Sequence, residues 1–206
     1  MNDGFWVVFT TTFLTLFVIM DPPGIVPVFL ALTGRMGRKE RHRAARQAVL
    51  VALGVILVFT TLGRYVFEFL TVSVEALEVS GGILLLLIAL ELLSGKAEEP
   101  QASGTGVNVA LVPLGTPLLA GPGAIVAAMV AAQDSGGTVL SWTAILLAIV
   151  LVHLCLYLAM RYAGIILRVL GTSGVTVITR LAGMLLAAIA VQLIATGVIG
   201  FVEISF

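Results

Sequence analysis

The sequence predicts an all-α membrane protein: six transmembrane helices arranged as two inverted three-helix repeats, the first and fourth helices broken near the midplane. Three observations carry this. Apolar residues make up 60% of the 206 residues and charged residues 11%, against roughly a quarter charged in a soluble domain. The apolar residues fall into runs of membrane-spanning length. A proline-glycine break interrupts two of those runs, one in each half.

A helix needs about 20 apolar residues to cross the hydrocarbon core. Six runs qualify: 5–33, 44–67, 74–95, 107–133, 139–163 and 177–202. The first and fourth are too long for one straight perpendicular helix, and they are the two with breaks. They divide the chain into a first repeat at 1–95, a cytoplasmic connection at 96–106 and a second repeat at 107–206, all within one membrane domain. The N-terminus lacks the basic stretch of a cleaved signal peptide, so the first run reads as a retained span. The single cysteine, Cys155, excludes an internal disulfide.

Basic residues set the topology. Arg35, Arg38, Lys39, Arg41, Arg43 and Arg46 lie between the first two runs, Lys96 after the third, and Arg161, Arg168 and Arg180 around the fifth-to-sixth connection. Only Arg64 lies on the opposite side, beside Glu68, Glu75 and Glu78. The expectation is a multi-pass protein of the inner (cytoplasmic) membrane, with both termini outside. The balanced net charge gives no reason to expect nucleic acid as a partner.

The two halves resemble each other. Pro23-Gly24 and Pro122-Gly123 lie 99 positions apart. GGILLLLIALELL, from Gly81, matches AGMLLAAIAVQLI, from Ala182, at an offset of 101. Gly82 then falls on Gly183, Ala89 on Ala190, and Glu91 on Gln192. Three spans per half is an odd number, so the halves must insert with opposite orientation, a common plan of secondary transporters.

The breaks suggest the chemistry. Proline in a helix interior removes a backbone donor, and in a bilayer the freed groups need partners in protein or a water-lined cavity. Half-helices restarting at Gly24 and Gly123 would aim unpaired N–H groups and partial positive charge at the midplane, which suits an anionic group such as a carboxylate. Candidate binding residues are therefore Asp21, Pro23, Gly24, Thr116, Gly121, Pro122 and Gly123, with Glu91 and Gln192 as a repeat-related polar pair. An ionisable group inside a span is by default a functional hypothesis. Asp21 reads as a proton carrier, a sodium ligand, a counter-ion for an ammonium group, or a cap for the restarting helix. Position 120, its repeat equivalent, is alanine. His153, mid-span, reads as packing more readily than as a proton relay.

Enzyme patterns fail. Gly171-Thr172-Ser173-Gly174 matches a GxSG protease pattern, but it falls in an expected loop, and both His42 and His153 precede it. There is no HExxH or cysteine-histidine metal motif. No metal or organic cofactor is expected, beyond Na+ or H+ as a coupling ion.

At Asp21-Pro22-Pro23-Gly24 with Pro27 and Phe29, and at Pro113-Leu114-Gly115-Thr116-Pro117-Leu118-Leu119-Ala120-Gly121-Pro122-Gly123-Ala124-Ile125, the chain resembles the MarC family, also called the neutral amino acid transporter family. The resemblance extends over essentially the whole chain. It implies a fold similar to that of LysE-type exporters and, through an archaeal branch, uptake of small neutral amino acids such as glycine and alanine. The resulting expectation is a non-enzymatic secondary transporter of small neutral amino acids or related metabolites, working by alternating access. The alternatives are a non-transporting assembly or regulatory membrane protein, or a channel. Small-residue faces at Ala127, Ala128, Ala131 and Ala132 leave a homo-oligomer open.

Overall fold

The computed structural model describes residues 3–34, 36–69, 73–94 and 119–205. The connection at 96–106, the start of the fourth predicted span and Thr116 lie outside them. Seven helices are described: α1 (Asp3–Met20), α2 (Ile25–Thr33), α3 (Arg38–Phe69), α4 (Val74–Ser94), α5 (Pro122–Asp134), α6 (Val139–Arg161) and α7 (Ala163–Ser205). The stretches Arg38–Gly63, Glu75–Ser94, Val139–Arg161 and Ala163–Val202 are each long and apolar enough to cross a membrane. The first predicted span is two helices, α1 and α2, separated at Asp21–Gly24.

Local chemistry sets several boundaries. Thr138 caps α6, its hydroxyl accepting from the Ser141 N–H at 3.2 Å. Gly136 and Gly137, both at positive φ, make the turn before it. The Arg41 guanidinium reaches the Thr33 carbonyl at 3.3 Å, placing a cation on the C-terminal end of α2. Arg161 ends α6 against the Tyr157 hydroxyl at 3.1 Å, an aromatic-basic arrangement suited to a membrane interface.

One boundary differs from expectation. Residues 164–176, expected as a connection, are helical, and only Tyr162 separates α6 from α7. The 43 residues of α7 would span about 65 Å as one straight helix, about twice the hydrocarbon thickness. Gly171 interrupts it with φ 66° and ψ 172°, a conformation glycine adopts without the penalty of a Cβ. The run Ala163–Leu170 therefore forms a short helix of its own before the long one begins.

The buried core is rich in alanine: Ala45, Ala48, Ala52, Ala128, Ala144, Ala148 and Ala190 are all fully buried. Small side chains let helix backbones approach where lipid supplies no hydrophobic force between helices. Leu50, Val58, Leu62, Leu147, Val150 and Leu154 are exposed, and lipid rather than water is the solvent that suits this face. Two buried threonines are satisfied within their own helices: the Thr33 and Thr60 hydroxyls donate to the Phe29 and Ile56 carbonyls at 2.6 Å.

The α4–α7 pair is packed through glycines. A Cβ on Gly82 would stand 2.8 Å from the Ala190 carbonyl oxygen, and one on Gly183 3.3 Å from that of Ala89. A Cβ on Gly197 would stand 2.7 Å from the Glu75 carbonyl oxygen. Partner numbers fall along α7 as they rise along α4, so the two helices are antiparallel. Elsewhere α1 packs on α6, α3 on α5 and α6, α2 on α7, and α5 on α4.

Candidate functional site

The first break begins where Asp21 closes α1. Its N–H donates to the Phe17 carbonyl at 3.1 Å, and its own carbonyl accepts from Ile25 N–H at 3.1 Å. In an uninterrupted helix the next two donors would serve Val18 and Ile19; Pro22 and Pro23 have none to give. Asp21 adopts φ 38°, a left-handed conformation open to aspartate and asparagine more than to most residues. It is 6% exposed. Its carboxylate faces the Gly24 N–H and, from α7, the Thr179 hydroxyl. Oδ2 is sealed from solvent without a well-aligned hydrogen bond.

Gly24 is where these groups converge. A Cβ there would fall on Asp21 Oδ2 and stand 2.8 Å from both Asp21 Cγ and Thr179 Oγ1. The absent side chain is thus what allows the carboxylate and hydroxyl to meet over the start of α2.

The second proline-glycine pair, whose preceding residues up to 118 lie outside the described ones, is built differently. Leu119 and Ala120 are buried, and Gly121 is extended, with φ −62° and ψ 159°. Pro122 opens α5, where its missing N–H costs nothing. The Gly121 carbonyl accepts from Ala124 at 3.0 Å and Ile125 at 3.2 Å, and no side chain caps this N-terminus. The neighbours are apolar: a Cβ on Gly123 would meet the Leu85 side chain and stand 3.1 Å from Ile88 Cδ1 of α4.

Of the residues expected at the site, Asp21, Pro23 and Gly24 share one break, and Gly121, Pro122 and Gly123 the other. Glu91 and Gln192 are exposed on α4 and α7, and neither is among the groups nearest Gly24 or Gly123. Thr179 was not foreseen. Its sequence signal was faint: at the offset of 101 it falls on Glu78, making a polar pair in otherwise apolar helices. His153 is buried on α6, its Nδ1 2.7 Å from the Ile149 carbonyl oxygen, its Nε2 sealed from solvent. Among the described residues, no group of three or more metal-binding side chains occurs.

Comparisons with known proteins agree with this membrane architecture. The family model for MarC family integral membrane proteins matches residues 6–202. A UPF0056 membrane protein of Methanocaldococcus jannaschii is 40% identical over 201 residues, covering 93% of this chain and 96% of the relative. A UPF0056 membrane protein of Bacillus subtilis is 32% identical, covering 91% of this chain and 92% of the relative. One of Escherichia coli is 33% identical, covering 91% and 90%. No solved structure matches the chain. The chain belongs to the MarC family of integral membrane proteins.

Proposed function

We propose that the protein is a secondary transporter of small neutral amino acids or related metabolites, working by alternating access of two inverted three-helix repeats. Reciprocal contacts support the inverted repeat. Gly82 meets Ala190 and Gly183 meets Ala89. Adding 101 to the α4 members gives the α7 members, so one contact is the other with its halves exchanged. Such self-complementary pairing is what a two-fold axis between antiparallel α4 and α7 produces. The packing of α2 on α7 and of α5 on α4 follows the same exchange.

The observation that carries alternating access is a difference in register. Gly24 meets Thr179, whose repeat equivalent is Glu78. Gly123 meets Leu85 instead, seven positions further along α4. Seven residues are two turns, or about 10 Å. Two halves of one design held in unequal register are the expected appearance of one end state. Exchanging the registers gives the other state, with the opposite side open.

In this reading the uncapped N-terminus of α5 at Gly121–Gly123 receives the substrate carboxylate through backbone N–H groups. The Asp21–Gly24 break carries the positive partner of transport. The basic N-terminal turns of α3 lie in the cytoplasm, and the termini lie outside. The test is uptake and efflux of labelled glycine, alanine and serine in vesicles reconstituted with the full chain, under proton and sodium gradients. Gradient-dependent accumulation of at least one is expected. No movement of any of them would overturn amino-acid transport, and single-channel currents in a planar bilayer would replace it with a channel.

A further inference from the structure

We propose that Asp21 is a proton-carrying group, with Thr179 positioning it from the other half of the molecule. Its coupling role rests on the transporter reading above; the binding site itself does not.

The first argument is charge. Asp21 is 6% exposed, and α5, α6 and α7 pack against α1, with α6 and α7 also against α2. The groups facing its carboxylate from these helices are the Gly24 N–H and the Thr179 hydroxyl; among the described residues no lysine, arginine, histidine or second carboxylate acts on it. His153, the buried titratable group of α6, is turned to its own Ile149 carbonyl and toward Ala52 of α3. An isolated carboxylate in a membrane interior is costly without a positive partner. The site therefore calls for a positively charged ligand.

The second argument is coordination. A Cβ on Gly24 would overlap Asp21 Oδ2 and crowd Thr179 Oγ1, so the carboxylate and the hydroxyl lie close together over that glycine. A metal ion asks for several oxygen ligands around it, and the facing side chains supply one carboxylate and one hydroxyl. A proton needs no such shell.

The third argument is that the pair serves both protonation states. A threonine hydroxyl is both donor and acceptor. When Asp21 is ionised, the hydroxyl and the Gly24 N–H donate to it. When the proton binds, it forms the carboxyl O–H, which donates to Thr179 Oγ1 while the threonine hydrogen rotates away. Proton gain and loss thus rearrange the approach of the first break to α7 at Thr179.

The experiment is pH-difference infrared spectroscopy on the full chain in lipid vesicles, comparing wild type with Asp21→Asn, Thr179→Val and Thr179→Ser. Wild type is expected to show a protonated-carboxyl C=O band that is lost on raising the pH. Asp21→Asn loses that band. Thr179→Val moves it to higher frequency by removing the hydrogen-bond partner, and Thr179→Ser restores it. A titrating band set unchanged in Asp21→Asn overturns the proton site, and an unmoved band in Thr179→Val overturns the role of Thr179. Loss of the band on adding NaCl, but not choline chloride, at fixed pH overturns the proton in favour of a metal cation. A parallel measurement follows a trapped pH dye during glycine, alanine and serine movement. Asp21→Asn should lose amino-acid-driven proton flux; retained proton flux overturns the coupling role. If no amino acid moves while the band behaves as expected, the transporter reading falls and the proton site stands.

Discussion

At the first break a carboxylate and a hydroxyl close over Gly24; at the second, Leu85 and Ile88 close over Gly123. Both proline-glycine pairs lead into a helix, α2 packed on α7 and α5 on α4. Their linings differ in polarity. Two jobs that proline and glycine do together thereby separate. Starting a helix is common to both pairs and follows from backbone chemistry alone. Hosting an ionisable group belongs to one, and depends on what α4 or α7 presents at that level.

The comparison needs the α4–α7 frame to hold, and the largest predicted effect tests that. Gly82→Ala sets a Cβ 2.8 Å from the Ala190 carbonyl oxygen and 3.0 Å from the Ile194 nitrogen. Backbone atoms cannot rotate away, so the loss should be about 3 kcal/mol, at the upper end of overpacking costs. Gly183→Ala meets the Leu92 and Leu93 side chains at 3.1 and 3.2 Å and the Ala89 carbonyl oxygen at 3.3 Å, and should cost about 1 kcal/mol. Thermal or denaturant unfolding in detergent measures both. Equal losses would mean that the Gly82 contact is no tighter than the Gly183 contact.

The breaks themselves come next. Gly24→Ala drives a methyl into the Asp21 carboxylate and the Thr179 hydroxyl, costing about 2 kcal/mol and expelling the carboxylate from its place. Gly123→Ala meets the ends of Leu85 and Ile88, which can turn aside, and should cost about 1 kcal/mol. Transport should disappear in the first variant and survive, slowed, in the second. The reverse order, in stability or transport, would assign the charge chemistry to the wrong break.

Much of this was legible in the sequence because it is local. Asp21-Pro22-Pro23-Gly24 announces its break through missing N–H groups, and Gly121-Pro122-Gly123 through a proline at a helix start. Among the described residues, four of the six apolar runs fall on helices long and apolar enough to cross a membrane, since about 20 residues of hydrocarbon is a fixed length. The offset of 101 placed Gly82 on Gly183 before their reciprocal contacts were in view. What was not legible is tertiary. Thr179 looked like an ordinary polar residue at the start of a span until α7 brought it to Gly24. Residues 164–176 read as a connection because Arg168, Gly171 and Gly174 interrupt the apolar pattern, yet Gly171 absorbs the turn alone and the rest stays helical. Glu91 and Gln192 matched in repeat position, but both sit on exposed faces; sequence equivalence fixes a level along a helix and leaves open what packs beside it.

A smaller effect separates the backbone of Asp21 from its charge. Asparagine tolerates the left-handed φ of 38° and keeps a polar group over the start of α2, so Asp21→Asn should change stability by well under 1 kcal/mol. Asp21→Ala makes the first break resemble the second at position 120, but it loses both the tolerance and the polar side chain over the start of α2. It should cost about 1–2 kcal/mol. If alanine proves as stable as asparagine, the conformation at Asp21 is not what holds the break, and the two breaks differ in their lining alone.

The smallest predicted effect lies at Thr179. Thr179→Val preserves the side-chain shape and removes one hydroxyl, so the stability change should stay near 1 kcal/mol, the net worth of a single hydrogen bond. Thr179→Ser should be nearly silent. Stability is the less informative readout here, because a valine at this level removes the hydroxyl from the lining of the first break while leaving Asp21 in place. If unequal register alone drives transport, Thr179→Val should move substrate and protons as wild type does. If the polar lining matters, substrate exchange should persist while coupling weakens, and Thr179→Ser should restore it. That split, measured as proton flux per amino acid moved, distinguishes a break that only bends from one that also carries charge.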